Sequence, residues 1–363
     1  MIDTLPDRPR KGRGAVSNPT GRFEAHQRAA VDDGWAADLD DGDGALPPLA
    51  TVLSVDSART IITRNDSPDI PFDRSINPYR GCEHGCVYCF ARPSHAYLGL
   101  SPGLDFETRL FYKPDAAKLL EAALRRPGYK PATLAIGTNT DPYQPVERKL
   151  GLTRSLLQVL SDFGHPVGLV TKSVLVARDL DILAPMGRRK LAHLCLSVTT
   201  LDPGLARQME PRAASPRRRL ETIRRATDAG VPVAVLASPM IPGLNDMELE
   251  RILEAAAAAG AESAGYILIR LPLEIADLFE EWLRTHVPDR AEKVLNRIRR
   301  MRGGRIYQAA FGTRMRGTGT EADLLSDRFD KACRRLGLGP RSFALDTTRF
   351  APPPAKGDQL SLL

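Results

Sequence analysis

The stretch NPYRGCEHGCVYCFARP, residues 77–93, carries three cysteines in a C-x3-C-x2-C spacing: Cys82, Cys86 and Cys89. A glycine precedes each of the first two cysteines, and residues without a Cβ let a short loop curl tightly around one centre. Thiolates are soft ligands that select zinc, copper(I) or iron–sulfur clusters. The pattern therefore predicts a metal centre held by this loop.

The number of thiols favours a cluster over a structural zinc site. Closed zinc sites and ordinary ferredoxin clusters use four protein ligands. A 4Fe–4S cube on three thiolates instead keeps one iron open for chemistry. The alternative is a Cys3His zinc site in which His84, inside the loop, is the fourth ligand. The sequence has no second C-x2-C pair and no downstream histidine pair to support that alternative.

The cysteine spacing, and the aromatic residue before the third cysteine, resemble the signature of the radical S-adenosylmethionine (SAM) enzymes. The runs TNTDPYQP (138–145), VTKS (170–173) and SPMIPGLND (238–246) also resemble segments of the spore-photoproduct-lyase-like branch, often called DNA repair photolyase-like. The resemblance covers about residues 59–300. It implies a 4Fe–4S cluster on the three cysteines and a SAM molecule, bound at the open iron, that one electron cleaves to a 5′-deoxyadenosyl radical.

The resemblance also implies SAM contacts. Lys172 and Ser197 end two predicted strands and look like contacts to SAM, while Tyr88 is expected to steady the adenine. From the residues alone, Thr140 and Asp141 are strand-end groups that can accept hydrogen bonds from the ammonium of SAM. The alternative for these two is ordinary Asp-Pro turn chemistry. Two further candidates to line the ribose or substrate side are Glu210 and Arg212.

One chemical difference separates the chain from the lyase. The lyase looks to use a cysteine in the loop after the second strand as hydrogen-atom donor, and residues 137–147 here contain none. Reversal of thymine dimers is therefore not the expected reaction, and the sequence assigns no catalytic residue. Three classes of function remain: a radical enzyme acting on nucleic acid, a radical enzyme acting on a small molecule or protein, and a zinc-binding, nucleic-acid-associated protein without catalysis.

Apolar strands alternate with helices along the middle of the chain. The strands are expected at residues 75–80, 133–138, 166–172, 192–199, 231–237 and 263–269. Strands that alternate with helices pair in parallel through right-handed crossovers. The candidate polar residues follow several different strand ends, as in barrel enzymes. We therefore predict an α/β fold, a partial (β/α)6 TIM-type barrel, rather than an open doubly wound sheet.

The segments outside the barrel differ in composition. Residues 1–58 alternate charged, Gly and Pro clusters, and such segments cannot bury enough apolar surface to fold. The extension is expected to contain a strand at RIYQAAF (305–311) and a helix at about 321–336. The predicted division is a largely disordered N-terminal tail at 1–58, the barrel at 59–302, a C-terminal extension at 303–345 and a Pro-rich tail at 346–363.

Composition constrains the location of the protein. The chain has 363 residues, of which 42% are hydrophobic, enough for one large core. No apolar run of 18 residues predicts a membrane span, and the N-terminus lacks the apolar segment of a secretory signal. Free, clustered cysteines fit a reducing compartment. We expect a cytoplasmic enzyme that takes electrons from an external one-electron reductant.

The charge and the C-terminus suggest partners. A formal net charge of +7 permits a nucleic-acid partner. Basic residues cluster at 212–225 and 290–305, where they can contact phosphates or form a solvated helix face. The tail QLSLL, Gln359–Leu363, resembles the short bacterial motif that docks on the DNA polymerase sliding clamp, although leucine ends it where an aromatic is usual. The alternative is a tail that packs on its own domain.

Overall fold

The structure is a computed structural model that describes residues 7–27, 48–340 and 344–354. Its strands are β1 (Val52–Val55), β2 (Ile62–Arg64), β3 (Arg74–Ile76), β4 (Tyr79–Arg80), β5 (Arg109–Tyr112), β6 (Leu134–Ile136), β7 (Val167–Thr171), β8 (Ala192–Ser197), β9 (Val233–Met240), β10 (Ser263–Leu268) and β11 (Gly339–Pro340). Its helices are α1 (Leu104–Thr108), α2 (Ala116–Leu124), α3 (Glu147–Leu150), α4 (Leu152–Asp162), α5 (Leu180–Arg188), α6 (Pro203–Met209), α7 (Pro216–Asp228), α8 (Leu249–Ala258), α9 (Ile275–His286), α10 (Pro288–Arg300) and α11 (Thr320–Leu336).

The central sheet follows the order of the chain. Its strands lie in the order β2-β3-β6-β7-β8-β9-β10-β11, and all neighbours from β3 to β11 are parallel. Strand β2 adds to one edge in the antiparallel direction. In the described part of the chain β2 and β11 do not pair, so the sheet stays open. The predicted partial (β/α)6 barrel is confirmed.

The strands are buried on both faces because helices cover the outside and other side chains fill the inside. Along β9 the side chains of Val233, Ala234 and Val235 are all fully buried. Outside, α4 packs Leu156, Leu157 and Leu160 into the core, at the spacing of one helix face. This packing places the polar carboxyl ends of the parallel strands together at one mouth of the barrel.

A second, smaller sheet precedes the barrel helices. It has the order β1-β5-β4, so the predicted strand at 75–80 is divided between two sheets. The predicted strand at residues 305–311 is wrong, since these residues form turns and irregular chain. Leu268, at the end of β10, donates its N–H to Met315 O (2.8 Å), and β11 pairs with the start of β10. No free edge is therefore left beside β10 for residues 305–311.

The N-terminus is more ordered than its composition predicts. Ala15 and Val16 are only 1% and 4% exposed, and residues 52–55 form β1. The tail predicted to be largely disordered at 1–58 therefore contains ordered parts, in which the backbone N–H groups of residues 14 and 15 donate to a buried carboxylate. The domain boundaries stay predictions, and Gln359–Leu363 lies outside the described residues. No helix in the described ranges is both long and apolar enough to span a membrane.

Candidate active site

A cavity of about 220 Å³ lies at the carboxyl ends of the parallel strands. Its lining residues come from the cysteine loop and from the ends of β6, β7, β8, β9 and β10. It contains the three cysteines and four of the five predicted SAM contacts: Cys82, Cys86, Cys89, Tyr88, Asp141, Lys172 and Ser197. The fold therefore brings together groups that are more than a hundred residues apart in the sequence.

The cysteine loop depends on two glycines. Gly81 and Gly85 have φ of 76° and 67°, a region that favours glycine. A Cβ on Gly81 would lie 2.6 Å from Leu110 Cδ2, and one on Gly85 would lie 2.7 Å from Glu107 Oε2. The loop can therefore pack this closely only with glycine at both positions, and this packing turns the thiols to the cavity.

The donor set fits an iron–sulfur cluster better than a single zinc ion. The three thiols are free of disulfides and line one cavity. Within the described ranges, no three His, Cys, Asp or Glu side chains surround a single-ion position. His84 Nδ1 instead lies 3.3 Å from Asp141 Oδ2, so the proposed fourth zinc ligand is turned to a carboxylate. Thiolates of a cluster bind different irons and need not converge on one point.

Burial makes the thiolate forms costly without a metal. It raises the pKa of Cys82, Cys86 and Cys89, that of Cys86 to about 12, while the nearby Lys172 opposes the shift at Cys86. Because metals bind thiolates, metal binding and deprotonation are coupled. The three thiolates are therefore expected to form when a metal centre binds them and neutralises their charge.

The cysteine loop is held from behind by a buried ion pair. Arg92 and Glu107 are fully buried, and Arg92 Nη2 lies 2.5 Å from Glu107 Oε1. Arg92 also donates to Cys86 O (2.9 Å) and Gly85 O (3.3 Å). One guanidinium therefore fixes the backbone between two of the thiols. Arg92 belongs to the quoted motif, although nothing in the motif predicts that it is buried. No pattern in the sequence points to Glu107.

The other side of Glu107 holds the N-terminal strap, residues 13–17. The backbone N–H groups of Gly14 and Ala15 donate to the two carboxylate oxygens of Glu107, each at 2.9 Å. A Cβ on Gly14 would lie 1.7 Å from Gly85 O. The strap therefore lies directly on the cysteine loop, with space for glycine alone at position 14.

Asp141 lines the cavity, and its carboxylate oxygens already accept hydrogen bonds from within the protein. Its oxygens accept hydrogen bonds from Tyr143 N (2.8 Å), Thr171 Oγ1 (2.7 Å) and Lys172 N (2.9 Å). Burial would raise the pKa of this carboxyl, but the adjacent His84 and the hydrogen bonds lower it to about 2. Asp141 is thus an ionised group that ties the cysteine loop to the end of β7. Its contact with SAM stays a prediction.

Thr140 is not brought to the cavity. Its side chain is 2% exposed, and its hydroxyl donates to Tyr79 O at 2.9 Å. It is absent from the lining residues. The Thr140 hydroxyl, predicted to contact SAM, is hydrogen-bonded to the backbone of the neighbouring strand β4 instead. We therefore assign Thr140 no cofactor contact.

A buried carboxylate organises the other side of the site. Glu210 is 2% exposed and accepts hydrogen bonds from Tyr88 OH, Arg219 and, at 2.5 Å, Thr199 Oγ1. Lys172 Nζ lies 3.7 Å from Glu210 Oε1 and 5.5 Å from the centre of the Tyr88 ring. Glu210 therefore links the cysteine loop to two predicted SAM contacts. The sequence indicated a candidate here but not this role.

Several arginines of the two basic clusters form ion pairs with carboxylates of the same chain. Arg297 contacts Glu321 (2.8 Å) and Asp246 (3.3 Å), and Arg300 contacts Glu321 (2.7 Å). Arg212 contacts Glu83 at 3.2 Å. These ion pairs join α10 to α11 and to the turn before α8, and they join the segment after α6 to the cysteine loop. The predicted phosphate contacts of Arg297 and Arg300 therefore lose their support.

The fold and the cysteine loop together define the class. Residues 76–256 match the family model of the Radical SAM superfamily. The chain belongs to the radical SAM superfamily and is an enzyme of that superfamily. Membership implies an iron–sulfur cluster and SAM as cofactors.

The chain is also similar to two curated proteins. The chain is 34% identical over 276 residues to the Mycobacterium tuberculosis H37Rv protein Rv2578c, covering 71% of this chain and 81% of that protein. It is 25% identical over 173 residues to the Methanocaldococcus jannaschii protein MJ0683, covering 48% and 62% of the two chains.

Among solved structures, spore photoproduct lyase complexed with dinucleoside spore photoproduct aligns with a TM-score of 0.56 at 16% identity over 81% of this chain and 82% of the lyase. A variant of the lyase with bound AdoMet and dinucleoside spore photoproduct aligns with a TM-score of 0.57 at 16% identity and the same coverage. At this identity the likeness shows the fold alone.

Proposed function

We propose that the protein holds a 4Fe–4S cluster on Cys82, Cys86 and Cys89, cleaves SAM reductively, and uses the product to abstract a hydrogen atom from a nucleic-acid substrate. The observation that supports this most directly is that the three thiols, Lys172 and Ser197 line the same cavity. When bound, the cofactors would pass one electron from an external reductant to SAM and cleave it into methionine and a 5′-deoxyadenosyl radical. That radical would leave as 5′-deoxyadenosine after taking a hydrogen atom from the substrate.

The chain's own residues bind and orient SAM. The Lys172 ammonium, which is 16% exposed, is the group suited to the SAM carboxylate, since charge-assisted hydrogen bonds are the strong ones. The Ser197 hydroxyl, on the same wall, is suited to the carboxylate or the ribose. Tyr88, held by its hydrogen bond to Glu210, lines the cavity beside the thiols and is suited to contact the adenine. Asp141 connects the cysteine loop to the end of β7 through its contacts with His84 and Lys172 N.

The substrate part of the proposal rests on three supports. The fold is similar to that of spore photoproduct lyase, one structure of which carries a dinucleoside. The cavity lining includes aromatic and apolar side chains besides the cysteine loop's Tyr88, among them Phe72, Phe90 and Ile70. The net charge is +7. The lining residues include no cysteine besides the three of the loop, so we propose no cysteine as hydrogen-atom donor. A radical enzyme acting on a small molecule or protein is the second candidate.

Anaerobic reconstitution with iron and sulfide tests the cofactor. We expect a broad iron–sulfur absorbance in the wild type, its loss in Cys86→Ala, and its retention in Cys333→Ala, a buried cysteine outside the cavity. After reduction, the wild type should convert SAM to 5′-deoxyadenosine. Full absorbance in Cys86→Ala, or zinc in place of iron in the purified protein, would contradict the proposal.

Two partner proposals belong to the same function. The enzyme works in the cytoplasm with an external one-electron reductant. The tail Gln359–Leu363, outside the described residues, docks on the DNA polymerase sliding clamp. A synthetic peptide with the sequence of the tail should bind the clamp in solution, and a peptide with Gln359 and the final leucine replaced by alanine should not. Equal binding of both peptides, or of neither, would remove the clamp from the proposal.

A further inference from the structure

Arg270 is a cation on the cavity wall that the SAM contacts do not use. It follows β10 and lines the cavity. Its guanidinium carbon lies 5.1 Å from the centre of the Phe90 ring, and its Nη1 lies 3.6 Å from Met315 Sδ. Its Nε is buried and has no hydrogen-bond partner. The guanidinium is therefore held in place by stacking and packing while part of its donor capacity is unused.

The charges around Arg270 leave it without a counterion. Across the described ranges no carboxylate forms an ion pair with it. The nearby Asp69 is engaged elsewhere: it contacts Arg314 Nε at 2.5 Å and accepts the N–H of Gly312 at 2.7 Å. Arg302, a nearby guanidinium that is fully buried, donates to Ile269 O (2.6 Å), and burial together with the charge of Arg270 lowers its pKa to about 10. This corner of the cavity thus carries positive charge that an anionic ligand would balance.

The surroundings of Arg270 fit a flat ring joined to an anion. Phe90 is 45% exposed, and Phe72 and Ile70 line the same cavity. Bases stack on aromatic rings and on guanidinium planes. The planar fork of arginine matches the oxygens of phosphate, which it binds through two parallel hydrogen bonds. The pairing of ring and guanidinium is therefore the arrangement that a nucleotide would use.

We infer that Arg270 binds a phosphate group of the nucleic-acid substrate and that Phe90 stacks on the adjoining base, next to Cys89 and hence to the radical source. This inference rests on the proposed function and adds the residue and the substrate group that meet. The phosphate differs from the SAM carboxylate because Lys172, which follows β7, is already assigned to that carboxylate, whereas Arg270 follows β10, three strands further along the sheet.

Binding of a short oligonucleotide tests the inference. The probe is a fluorescein-labelled single-stranded DNA of twelve nucleotides, bound to reconstituted, SAM-loaded protein and followed by anisotropy over a range of salt concentrations. Arg270→Gln should weaken binding about 10- to 100-fold, as expected for a hydrogen-bonded charge. It should also reduce the magnitude of the slope of the log binding constant against log salt concentration by about 0.7, the contribution of one phosphate contact to a single strand. Arg270→Lys should keep most of the slope.

The matched control is Arg251→Gln. Arg251 is exposed on α8, outside the cavity lining and outside both basic clusters, and its loss should change the affinity less than twofold. Three results would overturn the inference: an unchanged salt slope in Arg270→Gln, absence of probe binding by the wild type, or weakened SAM binding by Arg270→Gln, which would make Arg270 a SAM contact. Formation of 5′-deoxyadenosine by the wild type reports the proposed function separately from all three.

Discussion

Arg92 and Glu107 form an ion pair of 2.5 Å with both side chains fully buried, directly behind the cysteine loop. Four donors converge on this one carboxylate or on the backbone beside it: Arg92 itself, the N–H groups of Gly14 and Ala15, and Arg13, which donates to Glu107 O at 2.8 Å. The loop that holds the predicted cluster is thus fixed by the folded chain around it.

Replacing Glu107 by glutamine should cost stability and cluster retention together. Arg92 would stay buried without its counterion, and breaking a buried pair typically costs about 3–5 kcal/mol. Urea unfolding of the apoprotein measures the first effect, and bound iron per chain after gel filtration measures the second. Glu121→Gln, which breaks a surface pair with Arg125, should change stability by less than about 1 kcal/mol. Equal effects of both substitutions would refute the role of the buried pair.

Gly14→Ala should expose the cluster without touching a ligand. A Cβ at position 14 has no space beside Gly85 O, so the strap must lift from the loop. We expect the iron–sulfur absorbance to decay several times faster in air than in the wild type. Gly339→Ala is the matched control, since its added Cβ meets atoms no closer than 3.7 Å. An unchanged decay rate in Gly14→Ala would show that the strap does not shield the cluster.

Lys172→Met should weaken SAM binding while leaving the cluster intact. The substitution removes the ammonium but keeps an apolar stem beside Tyr88. We expect the dissociation constant of SAM to rise about 10- to 100-fold, the effect of losing a charged hydrogen bond. Equilibrium dialysis with labelled SAM measures it, and Lys118→Met, an exposed lysine on α2, serves as control. A wild-type affinity in Lys172→Met would assign the SAM carboxylate to another residue.

His165 should make the fold sensitive to mild acid. It is fully buried, its Nε2 lies 2.8 Å from Tyr129 OH, and burial lowers its pKa to about 4. In the unfolded chain the pKa is about 6.5. Above pH 6.5 both states carry a neutral ring and the residue adds no pH dependence. As the pH falls from 6.5 to 4 the unfolded chain binds the proton first, so stability falls, by about 3 kcal/mol in total.

Urea unfolding at pH 7, 5.5 and 4.5 checks this loss. In His165→Gln the decrease in unfolding free energy between pH 7 and 4.5 should be smaller than in the wild type. His26→Gln, a substitution at an exposed position, should follow the wild type. The same pH dependence in all three proteins would contradict the assignment to His165.

The sequence predicted the parts of the site that depend on local pattern. The spacing of the three cysteines predicts that they are metal ligands. Lys172 and Ser197 lie at the ends of apolar strands, and the carboxyl ends of parallel strands lie at one mouth of the barrel. Thr140 does not line the cavity, because its hydroxyl donates to the backbone carbonyl of Tyr79, its neighbour in space.

Other parts could not be predicted because they depend on contacts between distant segments. Glu107 lies 93 residues from Gly14 and has no motif around it. Glu210 gains its role only when α6 brings it beside Tyr88 and Lys172. For the same reason a run with strand composition at 305–311 forms no strand, since strand formation needs a free neighbouring edge.

The position of the N-terminal strap in the chain has a consequence for how the enzyme is made. The strap leaves the ribosome first, yet its partner Glu107 is synthesised 93 residues later, which takes roughly 5–20 s at ordinary rates of translation. The cysteine loop emerges before Glu107, so the strap can dock on the loop only after that residue has also emerged. Covering of the loop is therefore a late step in the synthesis and folding of the chain.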